Sequence, residues 1–138
     1  MLSSPHRVFL VEDHPVMREA YAALLATEPR LVLSQSVETA EEALDALRET
    51  PCDLVLTDLR LPGMSGVDLV RRLSEERPGL PALVISAHHE EVYARRALEA
   101  GAARFLPKQG LAARLVSVIL EVLDEETPEA AFIASSGG

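Results

Sequence analysis

Residues able to do chemistry stand at the ends of four apolar runs in this chain. Glu12 and Asp13 follow Val8-Phe9-Leu10-Val11, Asp58 closes Leu54-Val55-Leu56-Thr57, Ser86 follows Ala82-Leu83-Val84-Ile85, and Lys108 follows Phe105-Leu106-Pro107. Three clustered carboxylates repel, and at neutral pH they are tolerable only with a cation present. All-oxygen ligands with room for water suit Mg²⁺, a hard ion that wants octahedral geometry. An ammonium and a hydroxyl both bind phosphoryl oxygens well. A carboxylate nucleophile, a magnesium ion and phosphate-oxygen donors are the parts needed for phosphoryl transfer onto an aspartate. Asp58 is the expected nucleophile because its strand places it centrally. Asp53 would sit at the other end of the same strand and on its opposite face, where it caps or starts the strand.

Lys108 carries a second signal. The chain has thirteen basic residues, twelve arginines and this single lysine. A position that departs from arginine in such a chain points to a need for a compact ammonium.

These groups can meet only if the runs that carry them lie side by side and point the same way. Leu and Val runs closed by turn residues read as strands buried on both faces. The runs at 7–11, 31–33, 54–58, 82–85 and 103–106 alternate with stretches of helical apolar spacing. Pro15 suits a first helical turn, and that helix should stop before Pro29. Thr39 with Glu42 forms a capping-box pattern, and Ser65 can cap the third helix. Gly101 is placed as the stop of the fourth helix. Leu111, Leu115, Val118, Ile119 and Val122 make the last helix amphipathic. Five strand–helix units without an internal repeat predict a parallel sheet wrapped by helices, with the reactive groups on its carboxyl edge, where open α/β sheets place ligands.

Composition bounds the rest. A length of 138 residues suits one domain with a proper core. Residues 1–6 read as a flexible lead, 7–123 as the domain, and 124–138 as an acidic, small-residue tail or linker. A formal net charge of −9 argues against binding nucleic acid through phosphates, and no basic helix-turn-helix is present. No run approaches a membrane span. Cys52 is the only cysteine, so a reducing, cytoplasmic setting is expected, and with no basic neighbour its thiol should be inert. His88 and His89 are adjacent and diverge on a helix, while His6 and His14 lack a partner at metal spacing, so no zinc site is expected. Tyr93 and Leu98 read as packing residues or a dimer edge.

Taken together, Val11-Glu12-Asp13-His14, Thr57-Asp58-Leu59-Arg60-Leu61-Pro62-Gly63-Met64-Ser65-Gly66, Ser86-Ala87 and Gly101-Ala102-Ala103-Arg104-Phe105-Leu106-Pro107-Lys108 closely resemble response-regulator receiver domains of bacterial two-component signalling. The resemblance covers about residues 7–123 and is greatest to receivers joined to a LuxR-type helix-turn-helix. It implies a flavodoxin-like three-layer sandwich with a five-stranded parallel sheet of order 2-1-3-4-5, an order that general accounts of this fold already illustrate with a receiver. Carried over by position, Asp58 accepts a phosphoryl group from a sensor histidine kinase. Asp13 and Asp58 bind Mg²⁺ by side chain, Glu12 acts through water, and the Arg60 carbonyl completes the protein ligands. Ser86 and Lys108 hold the phosphoryl group, Phe105 is the switch aromatic, and Arg60 and His88 tune dephosphorylation. The face made by the fourth helix, fifth strand and fifth helix would then pair with a partner or a second copy, controlling transcription through a DNA-binding partner or a domain outside this chain. Two departures stand out: Phe105 lacks the hydroxyl of the more usual tyrosine, and Gln109 follows the lysine where many receivers have proline.

The resemblance implies a signalling module, not an enzyme with an external product. The alternatives are a receiver-like interaction module that works without phosphorylation, and a magnesium-dependent aspartyl-phosphate phosphatase. Such phosphatases need an acid aspartate two residues after the nucleophile, where Arg60 stands. A flavin carrier on the same fold would need a Ser/Thr/Gly-rich loop after the first strand, and none is present.

Overall fold

In the computed structural model, which describes residues 4–87 and 91–126, the apolar runs become strands and the periodic stretches become helices. The strands are β1 (His6–Val11), β2 (Leu31–Val37), β3 (Leu54–Asp58), β4 (Ala82–Ser86) and β5 (Arg104–Pro107). The helices are α1 (Pro15–Ala26), α2 (Ala40–Leu47), α3 (Gly66–Glu76), α4 (Glu91–Ala100) and α5 (Leu115–Glu126). The sheet order is β2-β1-β3-β4-β5, and every neighbouring pair is parallel. This is the predicted doubly wound, flavodoxin-like arrangement.

Alternation along the strands divides the core in two. Phe9, Val11, Val55 and Val84 face one layer with α2, α3 and α4 residues such as Leu47, Leu69 and Ala97. Val8, Leu10, Leu54, Leu56, Leu83, Ile85 and Leu106 face the other with Tyr21, Leu25, Leu115 and Ile119 of α1 and α5. All five residues of β3 and of β4 are buried, as strands covered on both faces must be. Local signals set the helix starts. The Thr39 hydroxyl accepts the Glu42 N–H at 3.1 Å, and that of Ser65 accepts the Asp68 N–H at 3.1 Å.

Several boundaries differ from the sequence expectation. β1 opens at His6, inside the stretch read as a lead, because the His6 N–H donates to the Arg30 carbonyl at 2.8 Å. β2 continues past Leu33 through Ser34-Gln35-Ser36 to Val37. As an edge strand it tolerates polar side chains, and Ser34 is the extra residue where the β1–β2 register shifts. Leu111 belongs to a separate 3-10 turn at Leu111–Ala113, and α5 starts only at Leu115. That helix runs to Glu126, so 124–126 are helical and not tail; buried Ile119, Val122 and Leu123 fix its last turns. Residues 127–138, and with them most of the expected tail, lie outside the described residues.

The turn after β3 sets where Asp58 sits. The Gly66 N–H donates to the Leu59 carbonyl at 2.9 Å, and a Cβ on Gly66 would fall 2.1 Å from the Asp58 carbonyl oxygen. The start of α3 therefore rests on the backbone of β3's last residue, and only glycine permits the approach. Gly66→Ala should cost about 2–3 kcal/mol in urea unfolding. Gly79→Ala, where an added methyl meets nothing within 4 Å, should stay within about 0.5 kcal/mol.

Candidate functional site

Parallel strands bring their carboxyl ends to one edge, and the reactive side chains gather there. Glu12 is in step with Val8 and Leu10, Asp58 with Leu54 and Leu56, and Lys108 with Leu106, so these three follow the layer shared with α1 and α5. Lys108 Nζ lies 3.2 Å from Asp58 Oδ2 and 3.6 Å from Glu12 Oε1. Ligand atoms of Glu12, Asp13, His14 and Asp58 all fall within 4.8 Å of one another. Glu12 is fully buried and Asp58 is 6% exposed, while the Asp13 side chain keeps 28% of its surface. Asp58 Oδ1 also takes the Arg60 N–H at 3.4 Å. Ser86 is buried at the end of β4, and the Lys108 N–H donates to the Ser86 carbonyl at 2.8 Å, joining the two strand ends through the backbone.

Burial first, and then the Asp58 charge, raise the Glu12 pKa above its ordinary value of 4.5; hydrogen bonds from His14 and the charge of Lys108 pull the other way. The donor set fits a divalent cation. Glu12 Oε1 and Asp13 Oδ1 are buried acceptors with no hydrogen-bond partner among the described residues, and acceptors without donors at a cluster of carboxylates call for a positive charge.

Asp53 is at the opposite end of β3, as expected, where its Oδ2 takes the Arg7 N–H at 2.7 Å. Cys52 is half-buried with its thiol pushed up to about 11, consistent with an inert group. Phe105 is half-buried against the α2–α3–α4 layer. Leu98 is 50% exposed and is not a packing residue. Tyr93 packs on the core and its hydroxyl lies 3.2 Å from the Arg60 guanidinium, which also covers the ring at 5.6 Å. His88 lies outside the described residues.

His14, read from sequence as lacking a partner at metal spacing, has ligand-capable neighbours in Glu12, Asp13 and Asp58. Its Nδ1 lies 3.1 Å from Glu12 Oε2 and 3.2 Å from Asp13 Oδ1, and its N–H donates to Glu12 Oε2 at 3.2 Å. The partners are its neighbours in sequence, and the backbone of His14 is extended where it leads into α1, so the contact depends on side-chain direction. Arg18 was also missed. Its Nη1 donates to the Glu12 carbonyl at 3.0 Å and to Glu38 Oε1 at 3.1 Å, tying α1 to the end of β1.

A family model for the response regulator receiver domain matches residues 8–120. The transcriptional activator protein ExaE of Pseudomonas putida is 36% identical over 116 residues, which are 84% of this chain and 54% of that protein. The response regulator GacA of Pseudomonas viridiflava is 31% identical over 113 residues, 82% of this chain and 53% of that protein. The chain thus spans about half the length of the curated relatives it matches. Among solved structures, a two-component response regulator of the LuxR family from Aurantimonas sp. SI85-9A1 aligns at a TM-score of 0.85 and 33% identity, over 96% of this chain and 98% of that one. A CheY-like receiver domain protein from Methanospirillum hungatei JF-1 aligns at 0.81 and 26%, over 89% and 97%.

The crowded carboxylates predict an inverted acid dependence of stability. A carboxyl whose folded pKa lies above its unfolded value favours folding below the unfolded value, and that contribution is lost as pH rises through the folded value. In chelator, stability should therefore fall as pH rises from 4.5, by at most about 1.4 kcal/mol per pH unit for one group. Glu12→Gln should flatten that slope in urea melts taken across the range. Glu28, held down at about 2 by Arg30, gives the opposite slope while its unfolded carboxyl titrates near 4.5, so the fall is read above about pH 5.5.

Proposed function

The chain belongs to the response regulator receiver domain family of two-component signalling, and from this we propose that it is a phosphoacceptor switch with Asp58 as the acceptor. Receivers take their phosphoryl group from histidine kinases as a general kind of partner. On this reading an Asp58 carboxylate oxygen attacks the phosphorus of a kinase phosphohistidine. The P–O bond forms as the P–N bond breaks, and the imidazole nitrogen keeps the electron pair and takes up a proton. The product is an acyl phosphate on Asp58.

The chain's own residues divide the work. The Arg60 N–H and the Lys108 ammonium, 3.4 and 3.2 Å from the two Asp58 oxygens, orient the carboxylate at the end of its buried strand. The ammonium can follow the new phosphoryl oxygens as a point charge, and the Ser86 hydroxyl is the neutral donor for them. Glu12, Asp13 and Asp58, with the Arg60 carbonyl, would hold Mg²⁺. When bound, the ion supplies positive charge to the phosphoryl oxygens as they approach the carboxylates. Phe105 and the α4–β5–α5 face are the proposed route from phosphorylation to a partner or a second copy. Regulation of transcription is proposed for the whole protein from the character of its relatives, the ordered receiver unit supplying the control and another part or partner the DNA contact.

The observation that carries this reading is the contact of the chain's only lysine with the central-strand aspartate. Incubation with MgCl₂ and acetyl phosphate should give a single phosphoryl adduct by intact mass. Asp58→Asn should abolish it, and EDTA should prevent it. An adduct that survives Asp58→Asn would assign the acceptor elsewhere.

A further inference from the structure

That chemistry leaves Tyr21 without a task, although the fold puts it next to the site. Tyr21 is 2% exposed and belongs to the layer that holds Leu10, Leu56 and Ile85, the strand residues in step with or next below Glu12, Asp58 and Ser86. Helical side chains lean toward the N-terminus of their helix, and α1 begins at the acidic edge. The phenol oxygen is therefore the part of Tyr21 that reaches toward the carboxylates. Their charge reaches it: after burial, Glu12 and then Asp58 push the phenol pKa above its ordinary value, so it stays a hydrogen-bond donor.

The Tyr21 hydroxyl has no hydrogen-bond partner among the described residues, and neither has Glu12 Oε1. Lys108 Nζ, at 3.6 Å from Glu12 Oε1, is beyond hydrogen-bond reach. Leaving a buried hydroxyl unpaired carries a penalty that phenylalanine in the same space would not. A buried donor without an acceptor is thus within electrostatic reach of the residue that carries a buried acceptor without a donor.

We infer that the Tyr21 hydroxyl is the donor that positions Glu12 Oε1, meeting it after a small turn of the carboxylate or across one internal water, and so sets how firmly the acidic cluster holds a divalent cation. That a divalent cation is held at the cluster rests on the phosphoacceptor reading. Tyr21 is a positioning residue: it acts through Glu12 and touches neither ion nor phosphoryl group.

Calorimetric titration with MgCl₂ on the full chain and on Tyr21→Phe tests this, beside urea melts of both in EDTA. The variant should bind Mg²⁺ about 3–10-fold more weakly, the scale of one net hydrogen bond, with its metal-free stability unchanged or raised. A second measurement uses emission. The chain has two tyrosines and no tryptophan, so Tyr93→Phe leaves Tyr21 as the sole emitter, and Mg²⁺ should change its fluorescence with the midpoint found by calorimetry for that same variant. Equal Mg²⁺ affinity in Tyr21→Phe overturns the inference, as does silent Tyr21 emission, or weaker binding accompanied by lost metal-free stability, which marks a packing role. If the unaltered chain takes up no Mg²⁺, the phosphoacceptor reading falls and this one with it. If it does, and Tyr21→Phe matches it, this inference alone fails.

Discussion

Negative charge held at the end of a buried strand is the constraint on which the rest of this molecule depends. Asp58 ends β3, the middle strand of the sheet, with Glu12 and Asp13 beside it and a single ammonium, Lys108, to offset them. A sheet edge with water on one side and an apolar core on the other is a costly place for three carboxylates. The protein keeps them there at the expense of stability, which is the pattern expected where electrostatics serves a function and not the fold. On the proposed reading the same imbalance would favour a bound cation, since each added positive charge would relieve a repulsion already built in.

The scaffold holds the cluster through backbone contacts more than through side chains. Asp58 is fixed by β3 on one side and by the start of α3 on the other, where Gly66 brings the helix against the Asp58 carbonyl. Lys108 is fixed by its N–H bond to the Ser86 carbonyl. Arg18 ties the end of β1 to α1 and to Glu38. Because every strand points the same way, those ties converge on one edge, and the spacing of the reactive groups is set by strand separation and register. A ligand site built this way tolerates wide change in the surface helices, which accords with the fold being shared at high coverage by relatives of modest identity.

How much of this was legible in the sequence follows from which interactions are local. Asp58 could be read because an apolar run, a carboxylate and a Pro-Gly turn are adjacent in the chain. Lys108 could be read because one residue type stands out against twelve arginines. The length of β2 could not, since its Ser34-Gln35-Ser36 stretch is polar and becomes a strand only by pairing with β1 at the sheet's edge. The start of α5 was misplaced because Leu111 keeps the helical apolar rhythm while its backbone makes a 3-10 turn. His14 was missed because its contacts with Glu12 and Asp13, one and two residues away, depend on the side-chain directions at the end of β1, which a search for metal-ligand spacing does not read. Tyr21 does not stand out in the sequence of α1: a phenol and a phenylalanine look alike to a hydrophobic pattern, and only the charge of Glu12 and Asp58 tells them apart.

A site of this kind is suited to switching because its charges are few and closely shared. Lys108 now divides its ammonium between Asp58 and Glu12, at 3.2 and 3.6 Å. On the proposed reading, a phosphoryl group on Asp58 would replace one carboxylate charge by a larger one carried a bond length or two further out, and the ammonium could not serve both positions. Lys108 and Ser86 are joined through the backbone at the ends of β4 and β5, so a demand on either is a demand on the pair of strand ends. Half-buried Phe105 precedes one of those ends on β5 and pairs with Val84 of β4, and β4 is followed in the chain by α4, which carries exposed Val92 and Leu98. A buried core transmits such a demand as a step between packings because it cannot deform gradually. On the proposed reading, the acidic cluster and the apolar surface of α4 would be two ends of one mechanical unit, with the strand-end pair between them turning the electrostatic event into a change of shape.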